Sequence, residues 1–414
     1  MLFFFLLKES VLFALNALRV NRLRTFLSLL GITIGIFAII SVFTVVDSLE
    51  YNMRSGVASL GDNVIFVQKW PWTFGPDYPW WKYMNRPVPD VEELAKIQKR
   101  SRKFEYAAFN VSFRKTVKRK NSSIENSDII AVSHDYDKVY TLDIETGRFF
   151  TESESGGGRS VAVIGATIAE GLFPHESAIG NDIKIHGLKI RVVGIMRKKG
   201  ESLLGNNPDT QVIIPVNFVR NLVDLRNDNF DPMIMVKAKP GVTNDEMIDE
   251  LTGIMRALRE LKPIADDDFA LNQTSLINKQ FDSLFDVIGT AGWIITLFAI
   301  LVGGFGIANI MFVSVQERIN MIGIQKSLGA KNYFILLQFL VEAIVLSLIG
   351  GIIGLLIIYF GTLLVGDSFG MEILLTVPNV ILGLTISILI GIISGFVPAY
   401  SASQLDPVEA IRSV

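Results

Sequence analysis

The sequence predicts an α-helical membrane protein with four transmembrane helices and a large α+β extracytoplasmic domain of two subdomains. Three observations carry this reading. Four runs with little or no charge are each long enough to cross ~30 Å of hydrocarbon as a helix. Charged residues make up 19% of the chain, against ~25% in soluble domains, and the depletion falls at the two ends while the middle has ordinary soluble composition. Lys and Arg flank the apolar runs unevenly, which orients them by the positive-inside rule.

The elements follow in order. Residues 1–24 read as an N-terminal amphipathic interfacial helix. Lys8, Glu9, Asn16 and Arg19 recur at roughly helical spacing, opposite Phe4, Leu7, Val11, Ala14, Leu15 and Leu18. A signal peptide is the rival reading, disfavoured because Lys8 and Glu9 break the apolar run and no small-residue cleavage site follows. The first span, 25–49, contains the uncharged run Phe26–Val46, with Arg19, Arg22 and Arg24 before it and Asp47 and Glu50 after it. That asymmetry places the N-terminus in the cytoplasm. Residues 50–284 are then one extracytoplasmic block, with a second subdomain inserted at about 151–230. Strands are expected at 64–67, 104–117, 129–132, 160–164, 211–215 and 233–237, and a hairpin over 182–194 around His186-Gly187-Leu188. Helices are expected at 90–99, 165–172 and 244–261.

Residues 285–315 form the second span. Its uncharged part, Val287–Val315, would measure ~43 Å as a helix, so its outer end is expected to stand above the membrane as a stalk. Residues 316–332 are a loop carrying Arg318, Lys326 and Lys331, which marks a cytoplasmic face. The third span is 333–365, the short external loop 366–377, the fourth span 378–400 and the cytoplasmic tail 401–414. Glycines that let helices approach closely are Gly31 and Gly35, Gly303 and Gly304, Gly350 and Gly354, and Gly391 and Gly395. Glu342 stands inside the third span, where a carboxylate is costly and a functional candidate. The plainer reading is that it reaches the interface or pairs with a nearby cation such as Lys331.

The chemistry absent is informative. Net charge is −2, there is no cysteine, and the three histidines, His134, His175 and His186, are scattered. Nucleic-acid binding, thiolate metal sites and cysteine nucleophiles have no support. No GxxxxGK[ST] or HExxH occurs, so neither a catalytic nor a metal site is expected. Ser155-Gly-Gly-Gly158 reads as a flexible turn. Trp70, Trp72, Trp80 and Trp81 cluster in a Pro-rich stretch that cannot be regular helix or central strand; they either form a contact for a partner, lipid or cargo or fold back onto their own domain.

Several blocks resemble a known family. They are Asn21–Gly35; then Glu317-Arg318, Ile322-Gly-Ile324, Lys326, Leu328-Gly-Ala330, Gln338-Phe339 and Glu342; then Gly391, Gly395, Pro398-Ala399 and Leu405–Ala410. Gly147-Arg-Phe-Phe150, Val163-Ile-Gly165, Leu172-Phe173, Ile179-Gly180 and Val193-Gly194 add to the match. Together they resemble the permease subunit of a MacB-type ABC transporter, the class that includes FtsX and LolC/LolE. The resemblance implies a non-catalytic permease in the bacterial inner membrane, working as a homo- or heterodimer with a cytoplasmic ABC ATPase. ATP and magnesium would be bound by that ATPase, and no cofactor by this chain. Residues 316–332 would be the coupling helix, with Glu317, Arg318, Gly323, Lys326, Gly329 and Ala330 in the transmission site. The family's usual Thr-Arg-Glu run is Ile319-Asn320-Met321 here, and its usual Arg is Gln325, so docking is expected to be less electrostatic. The implied function is mechanotransmission for efflux of a periplasmic substrate, with a periplasmic adaptor and outer-membrane channel as further partners. The alternatives are an FtsX-like transducer acting on a cell-wall hydrolase or sensor, and LolC/LolE-like lipoprotein release.

Overall fold

The computed structural model describes residues 22–58, 60–61, 63–73, 78–200, 207–369 and 373–412. Most of the expected interfacial helix at 1–24 lies outside these residues. The described chain forms two compact units, one of long helices and one, Tyr51–Ser283, built on a sheet.

In the helical unit, apolar composition leaves the backbone no solvent partner inside a bilayer, so each span must satisfy its own hydrogen bonds as a helix. Span one is part of the helix Arg22–Ala58, span two of Thr274–Glu317, span three of Asn332–Phe369 and span four of Val377–Ser403. All four are long and apolar enough to cross a membrane. The first two helices are longer than their uncharged runs. Span two begins directly after a strand and ahead of Val287.

Small residues set the packing between spans. A side chain at Gly391 would meet the Ile344 Cα at 2.8 Å and the Ala343 carbonyl at 3.1 Å, and one at Gly395 would collide with the Ala343 Cβ. Spans three and four therefore approach backbone to backbone. Gly350 and Gly354 face Ile32, Thr33 and Phe37 of span one, and the Thr33 hydroxyl donates to the Gly350 carbonyl at 3.3 Å. Gly35 faces the Ala299 carbonyl, Gly303 comes near the Ile32 Cα, and Gly304 faces Ser394. Gly31 meets nothing, so only the Gly35 half of that GxxxG pair makes a close contact. At the far end of span four, the Asn379 amide donates to Asp47 at 2.9 Å and the Leu374 N–H donates to the Ser48 hydroxyl at 3.0 Å.

The other unit carries ten strands in one sheet: β1 (Val64–Gln68), β2 (Phe104–Arg119), β3 (Ser122–Val132), β4 (Ile144–Gly147), β5 (Val161–Ile164), β6 (Asp182–Ile185), β7 (Leu188–Met196), β8 (Gln211–Pro215), β9 (Met233–Ala238) and β10 (Ala270–Gln273). The order is β10-β1-β9-β2-β3-β8-β5-β7-β4, with β6 beside β2 and β7. Period-two alternation sends Ile65, Val67, Ile129 and Ala131 into one core and Val64, Phe66, Ile130 and Val132 into another on the opposite face. The segment 151–230, read as an inserted subdomain, joins this same sheet: β8 pairs with β3 in parallel, and β6 pairs with β2.

The β6–β7 hairpin turns at His186 (φ 49°) and Gly187 (φ 85°), the left-handed pair that matches strand twist. Asp90 and Glu93 form a capping box that starts the helix Val91–Arg100. The Ser155-Gly-Gly-Gly158 stretch is not simply a turn. Thr151 and Glu154 cap a short helix, Glu152–Gly156, that takes in its first two residues. Arg148 grips Glu154 there with two bonds, at 2.7 and 2.9 Å, and this pairing holds the Glu154 pKa down at about 2. Strands β4 and β10 were not expected from sequence, because Ile-Glu-Thr-Gly and Ala-Leu-Asn-Gln are too short and polar to show a period.

Gly391→Leu is expected to cost ~1–3 kcal/mol by overpacking spans three and four, read as a lowered melting temperature in detergent. Gly31→Ala, on an open position, is expected to leave it unchanged.

Candidate functional site

The span-two helix ends at Glu317, and Arg318 (φ −113°, ψ 15°) breaks it. A junction helix, Ile319–Ser327, follows. Its end is a Schellman closure: the Ala330 N–H reaches the Gln325 carbonyl at 3.0 Å and the Gly329 N–H the Lys326 carbonyl at 3.0 Å. Gly329 supplies the φ of 97° that this closure needs.

Three contacts hold the junction helix within its unit. Arg318 Nη1 donates to Glu342 Oε2 of span three at 3.1 Å, and the Ser314 hydroxyl lies 3.4 Å from Oε1. Glu342 is 2% exposed. The cation beside it is Arg318, a correction to the expected Lys331, which is exposed. Lys326 Nζ donates to the Ser403 and Leu405 carbonyls at 2.6 and 2.7 Å. It thereby caps the end of span four, where carbonyls lack helical partners. Gly323 is covered by the tail helix Pro407–Arg412: a Cβ there would lie 2.9 Å from the Ala410 Cβ and 3.1 Å from Ile411 Cγ1. The blocks at 317–330 and 405–410, distant in sequence, are thus one structure.

Of the site residues read from sequence, Arg318, Gly323 and Lys326 turn inward, Gly329 shapes the backbone, Ala330 is half-buried and Glu317 is exposed. Charge reversal at Arg318 or Lys326 would break contacts inside this unit, so it is not neutral for folding. The outward side mixes apolar residues with the exposed Glu317, Asn320, Ser327 and Lys331. Ile324 is 54% exposed, Leu328 84% and Tyr333 66%. Sequence reading passed over these three. The signal available was Ile324 and Leu328 one helical turn apart, on the side away from buried Ile322.

The tryptophans divide. The Trp72 ring packs on Phe66 with centroids 4.8 Å apart, and its backbone N–H donates to Asn272 at 2.9 Å. Trp70 meets the edge of Tyr83, whose face carries Arg86 at 4.5 Å. Burial lowers the Arg86 pKa, opposed by Tyr83, Asp268 and Asp267. Trp80 and Trp81 are more than half exposed. Among the described residues no cluster of His, Asp or Glu could hold a metal ion.

Four helices long and apolar enough to cross a membrane, with one sheet domain between the first and second, define a membrane protein with a large domain outside its spans. Residues 25–254 match the MacB-like periplasmic core domain and 293–407 the FtsX-like permease C-terminal domain. The macrolide export ATP-binding/permease protein MacB of Bdellovibrio bacteriovorus is 30% identical over 399 residues, covering 96% of this chain and 60% of that protein. MacB of Escherichia coli K12 is 30% identical over 410 residues, covering 97% and 60%. The periplasmic region of MacB from Actinobacillus actinomycetemcomitans aligns over 55% of this chain and 95% of its own, with a TM-score of 0.44 and 16% identity. The chain belongs to the MacB-type ABC transporter permease family. It spans about 60% of the length of the curated relatives it matches.

Arg318→Ala leaves Glu342 buried without this cation, and is expected to destabilise by ~3–5 kcal/mol. Arg318→Met with Glu342→Leu should recover most of that loss. Unfolding in detergent across the double-mutant cycle is the measurement.

Proposed function

We propose that this chain is the permease subunit of an exporter, transmitting motion from a separate cytoplasmic ABC ATPase to its periplasmic domain and so driving efflux of a periplasmic substrate. The observation that carries this reading is the junction helix. It sits between two spans, is bonded to spans three and four through Arg318 and Lys326, and exposes the apolar side chains of Ile324 and, at its C-cap, Leu328. A segment so tied cannot be displaced without load reaching the spans. A segment with exposed apolar side chains suits a protein partner.

In this reading the ATPase seats on Ile324 and Leu328, and these two supply the docking energy that charged residues were expected to supply. Arg318, Gly323 and Lys326 act behind them as positioning residues. ATP and magnesium stay on the ATPase. In this reading the junction helix and tail lie in the cytoplasm and the sheet domain in the periplasm of an inner membrane, an orientation the positive-inside asymmetry supports. A second permease subunit, a periplasmic adaptor and an outer-membrane channel complete the proposed machine. The macrolide export in the relatives' names fits an efflux role.

Purification of the tagged chain from its own membranes in mild detergent is expected to bring down an ABC ATPase. Ile324→Asp with Leu328→Asp is expected to abolish that association while the melting temperature holds. Recovery of a periplasmic hydrolase or sensor in place of an adaptor would overturn efflux and leave only transduction. An ATPase that stays bound to the double variant would overturn the docking face.

A further inference from the structure

We propose that Lys118, Lys184 and Lys189 form a docking row on the sheet unit for an acidic helix of a partner protein. The inference rests on the sheet unit alone and is independent of any ATPase.

The strand register carries it. Lys118 of β2 stands directly opposite Lys184 of β6, and Lys184 stands directly opposite Lys189 of β7. Three lysines therefore rise from three neighbouring strands in one line across the sheet. Val117, Ile183, Ile185 and Ile190 beside them are buried in the core. Alternation sends the lysines to the other face, where all three are exposed. Lys118 and Lys184 also line a cleft of about 400 Å³ with Lys115, Thr116, His186 and Gly187. No carboxylate lines this cleft.

Like charges directly opposite one another across strands destabilise a sheet. One same-face position along, the sheet shows the usual arrangement: Arg191 of β7 is opposite Asp182 of β6 and 3.6 Å from its carboxylate. Other cations of β2 and its turn are paired as well. Arg114 meets Asp128, and Arg119 and Lys120 meet Glu176. Among the described residues, no carboxylate pairs with Lys115, Lys118, Lys184 or Lys189. The row is thus left for an anion supplied from outside the domain.

Its spacing selects the anion. Opposed residues have Cβ atoms ~4.5–5.5 Å apart, so the row is ~10 Å long on a hydrogen-bonded base. Carboxylates at i and i+4 of a helix lie ~5–6 Å apart and match it. Same-side residues of an extended strand lie ~7 Å apart and do not. Lysine offers a point charge without the planar fork that clamps one phosphate. Several point charges in line suit carboxylates spread along a segment.

The test uses the full chain in nanodiscs of neutral lipid. The probe is a labelled alanine-based helical peptide with Glu at i, i+4 and i+8, followed by fluorescence anisotropy. Saturable binding is expected, and it should vanish at about 1 M salt, where the screening length is ~3 Å. Lys118→Gln, Lys184→Gln and Lys189→Gln together should weaken it about tenfold. The melting temperature of the free triple variant should rise, because opposed like charges are gone. A fall would overturn the proposal by showing that the lysines hold the domain together. Unchanged peptide binding in the triple variant would also overturn it, as would equal binding of a peptide with the same glutamates scattered round the helix. Binding to phosphatidylglycerol vesicles instead of the peptide, lost in the triple variant, would overturn it and assign the row to lipid.

Discussion

A carboxylate cannot stand alone in an apolar bundle, and the junction between spans two and three is arranged around that constraint. Glu342 is buried, and Arg318 comes from the break at the end of span two to meet it. Desolvation of the two groups offsets most of their attraction, so the pair adds little net stability. What it adds is a penalty on any arrangement that parts them. The break after Glu317 is thereby fixed against span three, and the junction helix inherits its direction from that point.

The remaining contacts follow from this start. With the junction helix in place, Lys326 reaches the carbonyls that span four leaves open at its end. Gly323 then presents bare backbone to the tail helix, which packs where any side chain would intrude. The positively charged side chains of the segment are in part consumed by these internal duties. On its outer side Ile324 and Leu328 stand exposed among Glu317, Asn320 and Ser327. The packing between spans obeys the same economy of volume: Gly350, Gly354, Gly391 and Gly395 bring backbones together where larger residues would hold them apart.

Much of this was legible in the sequence because it depends on local composition. Uncharged length marked the spans, and short apolar, β-branched runs marked β1, β8 and β9. His186-Gly187 marked a hairpin, because few dipeptides accept two left-handed residues. Other features were hidden for physical reasons. Strand β4 is a four-residue stretch whose extended form depends on its pairing with β7. The parallel pairing of β3 with β8 joins segments far apart in the chain, and no local period encodes such a partner. The tryptophan cluster looked uniform in one dimension, yet its chain path buries part of Trp72 against Phe66 and turns Trp80 and Trp81 outward.

The sequence by itself determined the four spans, the large domain between the first two and the family, since hydropathy, charge bias and motif spacing are properties of order along the chain. Only the tertiary structure decided what each charged residue of the junction does. Arg318 and Lys326 carry the same sign and sit in the same short segment, and nothing local tells which will face a partner and which will be drawn inward. That depends on where spans three and four place a buried carboxylate and a set of open carbonyls.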